Sequence, residues 1–567
     1  MTPVNPAIGY TTYASGPSAT STLTDMFSYT QAGQIAGKRV RVKKASGSTT
    51  ATGDLDLAYT YNSEGKVTSV TYPYDSGSGT SPSYTYAYDS MMRLSTMTDS
   101  TQNGAQTVNG VQYNAASQLT AINYYLATET RSYNSLMQVS NITVTGNSSV
   151  TPLNITYNYT DLAKNKTASQ SSTLNGTSAV ASLAVDGNVD GNWADNSITH
   201  TNLDANAWWQ VDLGSSASVS SIAVWNRTDC CGSRLSDYWV FVSDTPFSPS
   251  DTPATLQNRA GTYSSHQTSQ PSPSAVISIP GAQGRYVRVQ LSGTNYLSLA
   301  EVQVFGLAPG IGGNAGKITS VYDALSGESV VYQYDSLNRL ISAAGSGWTQ
   351  TQAYDGFGNL TGRTGTGSAQ STSMSTPADP ATNRLTGYTY DANGNLNINS
   401  NMYDPENRVS FANAGGVQYS YDAQNKRFWQ ATCTGYGNCY PNNGWVLSTE
   451  SIMMFGADGK QIGTYSVSQG YTGTLQFTAA NARVYFGGRL VAQPGNLHVM
   501  QAAVQDRLGS VGKYYPYGED RSGQPGDDTV RFATYTRDSA TGNDYADQRY
   551  YASTFGRFMT PDPYRGR

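Results

Sequence analysis

Over long stretches the chain alternates apolar or aromatic positions with polar ones, as in Tyr84-Thr85-Tyr86-Ala87-Tyr88, and the alternation breaks at short turns rich in Asp, Asn and Gly. A period of two is the pattern of a strand with one covered face, so it predicts antiparallel strands with their aromatics on one side of a sheet. The breaks repeat. Tyr followed by Asp or Asn stands six residues before Leu or Val in eight places, beginning at Tyr61, Tyr88, Tyr113, Tyr133, Tyr334, Tyr354, Tyr390 and Tyr403, and Tyr421-Asp422 starts a ninth copy that ends in Arg427. Each copy reads as a hairpin. Tyr closes one strand, the Asp or Asn oxygen turns the backbone, Gly or Asn supplies positive φ, and Leu or Val opens the next strand. One hairpin cannot bury its own face, so the units must stack side by side into a continuous sheet.

Composition agrees with strands. Among 567 residues, 42 Tyr and 57 Gly are many, charged residues are only 13%, and 11% aromatics supply enough burial for folding. Lys, Glu and Leu are scarce, which disfavours amphipathic helices, and the expected fold class is all-β. A formal charge of −5 from 34 basic and 39 acidic side chains offers no basic face, so nucleic acid is not an expected partner. No apolar run approaches the roughly 18 residues of a spanning helix, so no membrane insertion is expected. Met1 to Pro6 lacks the features of a signal peptide, and export is expected by another route or through an upstream segment.

The Tyr-Asp pattern resembles the YD repeats of RHS proteins. The C-terminal stretch carries the resemblance further: Asp506-Arg507-Leu508-Gly509-Ser510-Val511, Tyr515-Pro516-Tyr517-Gly518-Glu519, Arg549-Tyr550-Tyr551 and Gly556-Arg557-Phe558-Met559-Thr560-Pro561-Asp562-Pro563 look like the RHS-associated core motif. The resemblance implies a spiralling β-sheet, closed in complete members into a shell around a C-terminal payload, often a toxin. No payload follows Pro563 in this sequence. Some members cut themselves downstream of the motif with paired aspartates. Here Asp562 stands where one is expected, but Ala552 follows Tyr551 where relatives carry Asp, so the chain is not expected to be an enzyme.

Between Lys164 and Leu307 the repeat vanishes and five of the eight Trp appear: Trp193, Trp208, Trp209, Trp225 and Trp239. The alternating segments 207–213, 219–225, 286–291 and 299–305 predict a β-sandwich inserted into one hairpin turn, which requires its ends to lie close together. The expected organisation is therefore 1–163 first repeat region, 164–307 inserted module, 308–500 second repeat region and 501–567 core motif.

Within the module, Trp225-Asn226-Arg227-Thr228-Asp229-Cys230-Cys231-Gly232-Ser233-Arg234 follows His200, one of three His in the chain. Adjacent cysteines have Cα atoms ~3.8 Å apart, below the ordinary disulfide range, so a bond between Cys230 and Cys231 makes a strained ring that is compact and apolar. Arg227 and Arg234 could aim forks of charged donors at neighbouring hydroxyls, and His200 can donate or accept from a third side. A ring of hydroxyls with one apolar face is a sugar.

These residues, with Ala184-Val185-Asp186-Gly187-Asn188, Trp208-Trp209-Gln210-Val211-Asp212-Leu213, Gly284-Arg285-Tyr286-Val287 and Ala300-Glu301-Val302-Gln303-Val304, resemble the fucolectin family of the discoidin or F5/8 type C fold. The resemblance implies that His200, Arg227 and Arg234 hydrogen-bond the hydroxyls and ring oxygen of fucose while the Cys230–Cys231 platform packs against it. It also implies a structural Ca2+ held by the Asp186 and Ser197 side chains, Asn188, the backbone oxygens of Leu183 and Ala300, and Glu301, hard oxygen donors of the kind Ca2+ takes. Two departures bear on this. Ile198 and Ala300 occupy the places of a bridging cysteine pair, and Ser233 replaces a Glu that could orient an arginine.

Cys433 and Cys439 are spaced for a loop disulfide, and no CxxC pair suggests zinc. Oxidised cysteines imply life outside the cytoplasm. Gly356 to Gly362 lies in a repeat turn with no helix after it and is not a phosphate loop. His266 and His498 are expected to be ordinary surface or core residues. The resulting expectation is a bacterial, extracellular or cell-surface, non-enzymatic protein that binds fucosylated or related glycans with the help of Ca2+. The rival readings are a shell fragment of a toxin-delivery system and a structural protein that self-associates through open β-sheet edges.

Overall fold

A computed structural model describes residues 8–13, 19–46, 48–102, 106–134, 137–159, 161–307, 317–398, 400–412, 416–434, 446–468, 473–494 and 500–562. Strands dominate, as the alternation predicts; among the described residues the only α-helix is Pro253–Leu256. The chain divides into two compact units. One comprises Met1–Thr130, Val144–Pro152 and Ala378–Arg567, the other Arg131–Thr143 and Leu153–Pro377.

The six-residue spacing of the repeat has a geometric cause. Tyr88 lies opposite Leu94, yet the preceding pair is Ala87 with Thr96, so one extra residue bulges out beside each turn. Tyr354 with Leu360 after Ala353 with Gly362 repeats the arrangement. Inside the turn, Asp89 Oδ1 accepts both Met91 N and Arg93 N at 2.9 Å. Asp335, Asp355, Asp391, Asp404 and Asp422 accept the equivalent pairs. Three residues after each aspartate the backbone is left-handed, at Met92, Asn338, Gly358, Gly394, Asn407 and Asn425. The tyrosine hydroxyl then joins neighbouring units. Tyr88 Oη donates to Val67 O at 2.7 Å, Tyr113 to Leu94 O at 2.8 Å, Tyr354 to Leu340 O at 2.6 Å and Tyr421 to Val409 O at 2.8 Å. Each Tyr therefore seals the carbonyl of the Leu or Val that opened the unit before it.

In the first unit the strands from Ala19–Tyr29 to Leu119–Tyr124 pair antiparallel with their successive neighbours. Its interior holds ions as pairs: Lys44 meets Glu450 at 2.5 Å with both side chains fully buried, and Arg427 pairs with Asp538 between the rings of Tyr419 and Tyr545. Unpaired, either charge would be costly to bury. Asp562 lies 3.3 Å from Arg549, and Ala552 is buried. Cys439, the expected partner of Cys433, and His498 lie outside the described residues.

In the second unit, Leu153–Asn158 and Ser320–Asp323, the strands on either side of the insertion, pair directly, Asn158 facing Ser320. The inserted module therefore springs from one hairpin. Its two segments 207–213 and 219–225 form a single bent strand, Trp208–Asn226, because register shifts at Asp212/Ala217 and Val219/Ser221 let it turn without ending. That strand pairs with Ser274–Leu291, Leu299–Leu307 and Thr167–Gln170, and Tyr238–Ser243 pairs with Ser274–Leu291 and Thr262–Gln267. Alternate residues Trp209, Val211, Leu213, Val240, Val242, Val287, Val289, Val302 and Val304 fill the core between them.

Candidate functional site

The site grows from the end of the Trp208–Asn226 strand. Asn226 is buried and gathers the loops around it: its Nδ2 donates to Gly232 O and Pro271 O, both at 3.0 Å, and its Oδ1 accepts Arg227 N at 2.8 Å. The loop it closes carries the Cys230–Cys231 disulfide, with Cα atoms 3.8 Å apart and Cys231 in the left-handed region at φ 59°. Cys231 starts the 3-10 turn Gly232–Leu235, where Arg234 N donates to Cys231 O at 3.0 Å. Both cysteines are exposed, so the disulfide presents an apolar surface to solvent.

His200 is 4% exposed and makes two ring contacts, Nδ1 to Thr201 O at 2.7 Å and Nε2 to Arg234 Nη1 at 3.2 Å. A carbonyl only accepts and a guanidinium only donates, so the proton sits on Nδ1 and Nε2 is the acceptor. Burial lowers the imidazole from its ordinary value, and the charges of Arg234 and Arg227 act in the same direction. The ring is edge-on to Trp193 at 5.5 Å and to Tyr296 at 5.3 Å. Arg234 lies over Tyr296 at 4.7 Å and Arg227 over Trp193 at 5.1 Å. The result is one continuous stack, Arg227, Trp193, His200, Tyr296 and Arg234.

Asp229 fixes Arg227. It accepts from Nε at 2.8 Å and Nη2 at 2.9 Å, which pulls its carboxyl down to about 2, and it also accepts Trp193 N at 3.2 Å. With Nε and Nη2 so engaged, the Nη1 edge of Arg227 makes no hydrogen bond to a described residue. Arg234 gives only Nη1, to His200, and keeps Nε and Nη2 free of described partners. Two pre-aimed sets of cationic donors flank an exposed disulfide, the arrangement that recognises vicinal hydroxyls on a partly apolar ligand.

The five residues expected to bind sugar, His200, Arg227, Cys230, Cys231 and Arg234, thus lie together. Sequence reasoning missed Asp229, Trp193 and Tyr296. Asp229 was legible as a carboxylate two residues from Arg227, whereas Trp193 and Tyr296 arrive from separate loops. Ser233 is exposed, and Arg234 is oriented by His200 and Tyr296 instead of by a neighbouring carboxylate. Ile198 and Ala300, at the places of the missing cysteine pair, are buried in one apolar cluster with Trp225, Phe305 and Val331. His266, with no partner visible in the sequence, bonds Asp237 at 2.7 Å and stacks on Trp239.

Near the Ala181–Val185 turn, which contains Leu183, Asp186 Oδ1 accepts Asn188 N at 2.7 Å and Glu301 Oε1 accepts Gly187 N at 3.0 Å. Ser197 Oγ donates to Asp190 O at 2.6 Å, and Ala300 precedes Glu301 on its strand. Glu301 is fully buried and its Oε2 has no hydrogen-bond partner. Burial, with the negative charges of Asp161 and Asp186, pushes its carboxyl up to about 9. An orphaned buried carboxylate oxygen is a hard donor of the kind Ca2+ takes, and the resemblance adds the backbone, amide and hydroxyl oxygens of Leu183, Ala300, Asn188 and Ser197 to it. Among the described residues no group of three or more His, Cys, Asp and Glu side chains could hold a metal ion, so any such cation depends on those neutral oxygens as well as on Asp186 and Glu301.

Residues 183–289 match the F5/8 type C family described as NedA-like, galactose-binding domain. Fucolectin-1 of Anguilla japonica is 34% identical over 156 residues, 25% of this chain and 78% of the relative. Fucolectin-5 of the same species is 32% identical over 161 residues, 27% of this chain and 79% of the relative. The solved lectin domain of lectinolysin complexed with Lewis B antigen is 36% identical over 27% of this chain and 99% of its own, with a TM-score of 0.23. The matched domains are binding modules and not enzymes. Through its inserted module, the chain belongs to the fucolectin family of F5/8 type C lectin domains, carried here as one part of a larger all-β protein.

Proposed function

We propose that the protein binds fucose-type glycans through the inserted module and does no chemistry on them. The observation that carries this reading is the stack of Arg227, Trp193, His200, Tyr296 and Arg234 beside the exposed Cys230–Cys231 bond. The free guanidinium edges donate to adjacent hydroxyls, His200 holds Arg234 in place, and the disulfide packs against the apolar face of a deoxyhexose. A single shallow polar site binds weakly, because each sugar hydroxyl exchanges a water contact for a protein contact at little net gain.

Ca2+ would be held by Leu183 O, Asp186, Asn188, Ser197, Ala300 O and Glu301, and bound there it supplies the positive charge that a buried, ionised Glu301 lacks. The orphaned Glu301 Oε2 supports this assignment. The tyrosine-sealed hairpins support the reading of the rest of the chain as a YD-repeat scaffold, similar to RHS proteins, that displays the lectin module. The exposed disulfide supports an extracellular or cell-surface setting.

A glycan array probed with the full chain tests this reading. The expected result is retention on fucosylated glycans, lost in Arg227→Ala and Arg234→Ala and reduced by dithiothreitol or EDTA. Retention unaffected by all four treatments refutes the site.

A further inference from the structure

The sugar site does not rest on the module alone. The Glu328–Tyr334 strand belongs to the repeat sheet, beyond the end of the insertion, yet it reaches the residues that support the site. Gln333 Nε2 donates to Gln303 Oε1 at 2.6 Å, and the same oxygen accepts Trp225 Nε1 at 3.0 Å. One buried amide oxygen thus joins the strand that ends at the site to a strand of the scaffold. Val331, two residues before Gln333, is buried in the apolar cluster of Trp225, Ile198 and Ala300, against which Trp193 packs.

Both supported residues lead directly into the site. Trp225 precedes Asn226, the side chain that gathers the Arg227–Arg234 loop, and Trp193 is the plate on which Arg227 lies. We infer that Val331 and Gln333 of the repeat scaffold are positioning residues for the carbohydrate site, acting through Trp225 and Trp193. The inference rests on the sugar-binding reading above. Losing the Gln333 bond frees one acceptance on Gln303 and loosens Trp225 in its seat, which weakens sugar binding about three- to tenfold, the scale of one buried hydrogen bond.

The test uses the full chain and isothermal titration with L-fucose and a fucosylated trisaccharide. Gln333→Met keeps the bulk and removes the donor, Gln333→Lys keeps an N–H donor, and Ser329→Ala breaks a different contact of the same strand, the Ser278–Ser329 bond of 3.2 Å. The expected result is about three- to tenfold weaker binding by Gln333→Met, affinity within about twofold of the parent for Gln333→Lys, and no change for Ser329→Ala. Val331→Ala reads the same support by a second route and weakens binding in the same direction should Gln333→Met melt early. Unchanged affinity in both Gln333→Met and Val331→Ala, or equal weakening by Ser329→Ala, overturns the inference. A parent chain that binds neither sugar overturns the functional reading itself, and a parent that binds while the variants match it overturns only the positioning role.

Discussion

Replacing Asp229 by Asn tests how much of the site's recognition comes from holding Arg227 in place. The substitution keeps the shape and leaves an oxygen for Arg227 Nε and Trp193 N, but it sets an amide NH2 against Nη2, now 2.9 Å from a carboxylate oxygen. A charge-assisted bond of this kind contributes about 1.5–3 kcal/mol when shielded. Here the Asp229 side chain is 30% exposed and that of Arg227 11%, so solvent screening reduces the figure to roughly 1 kcal/mol. That corresponds to about fivefold weaker sugar binding with little change in thermal stability. Titration calorimetry of the parent, Asp229→Asn, Arg227→Ala and the double variant gives the coupling energy directly. Because the contact is partly exposed, raising the salt narrows the gap between parent and Asp229→Asn. A depressed carboxyl contributes above its ordinary range and loses that contribution only as pH falls through about 2, so the gap persists to about pH 4. Equal affinity in parent and variant, or a double variant whose loss is the plain sum of the singles, refutes the reasoning.

The lowered imidazole of His200 predicts a pH response of the same sense at higher pH: just below 6.5 the unfolded chain binds more protons than the folded one, so stability falls as pH drops. Protonated His200 also turns an N–H toward Arg234, so calorimetry at pH 7.5 and 5 shows weaker sugar binding at the lower pH, and His200→Gln removes the difference. Ca2+ raises the melting temperature of the parent and not of Glu301→Gln. Without the ion, stability of the parent falls as pH rises from 4.5 toward about 9, since the folded state keeps the Glu301 proton that the unfolded chain releases, and differential scanning fluorimetry with EDTA checks both statements. Tyr354→Phe removes the 2.6 Å bond to Leu340 O and costs about 1 kcal/mol, read as a lower midpoint in chemical denaturation.

The local parts of this protein were legible residue by residue. In the repeat turns Asp accepts backbone N–H groups two and four residues ahead, and the Leu six residues after Tyr is its cross-strand partner, as at Tyr88 and Leu94. The Cys230–Cys231 bond needs only chain neighbours. The expected strands of the module appeared, but two of them merged, since a bulge turns a strand without ending it and leaves little trace in an alternation pattern.

What the amino-acid order determined by itself is the strand class, the hairpin period and the arginine-disulfide loop, all set by contacts between residues close along the chain. Only the tertiary structure decided that Trp193 and Tyr296 flank His200, that burial leaves Glu301 Oε2 without a partner, and that Gln333 reaches Gln303 from a different sheet. Those relations depend on which distant segments pack together, and desolvation of a carboxylate or imidazole exists only once the packing has removed its water.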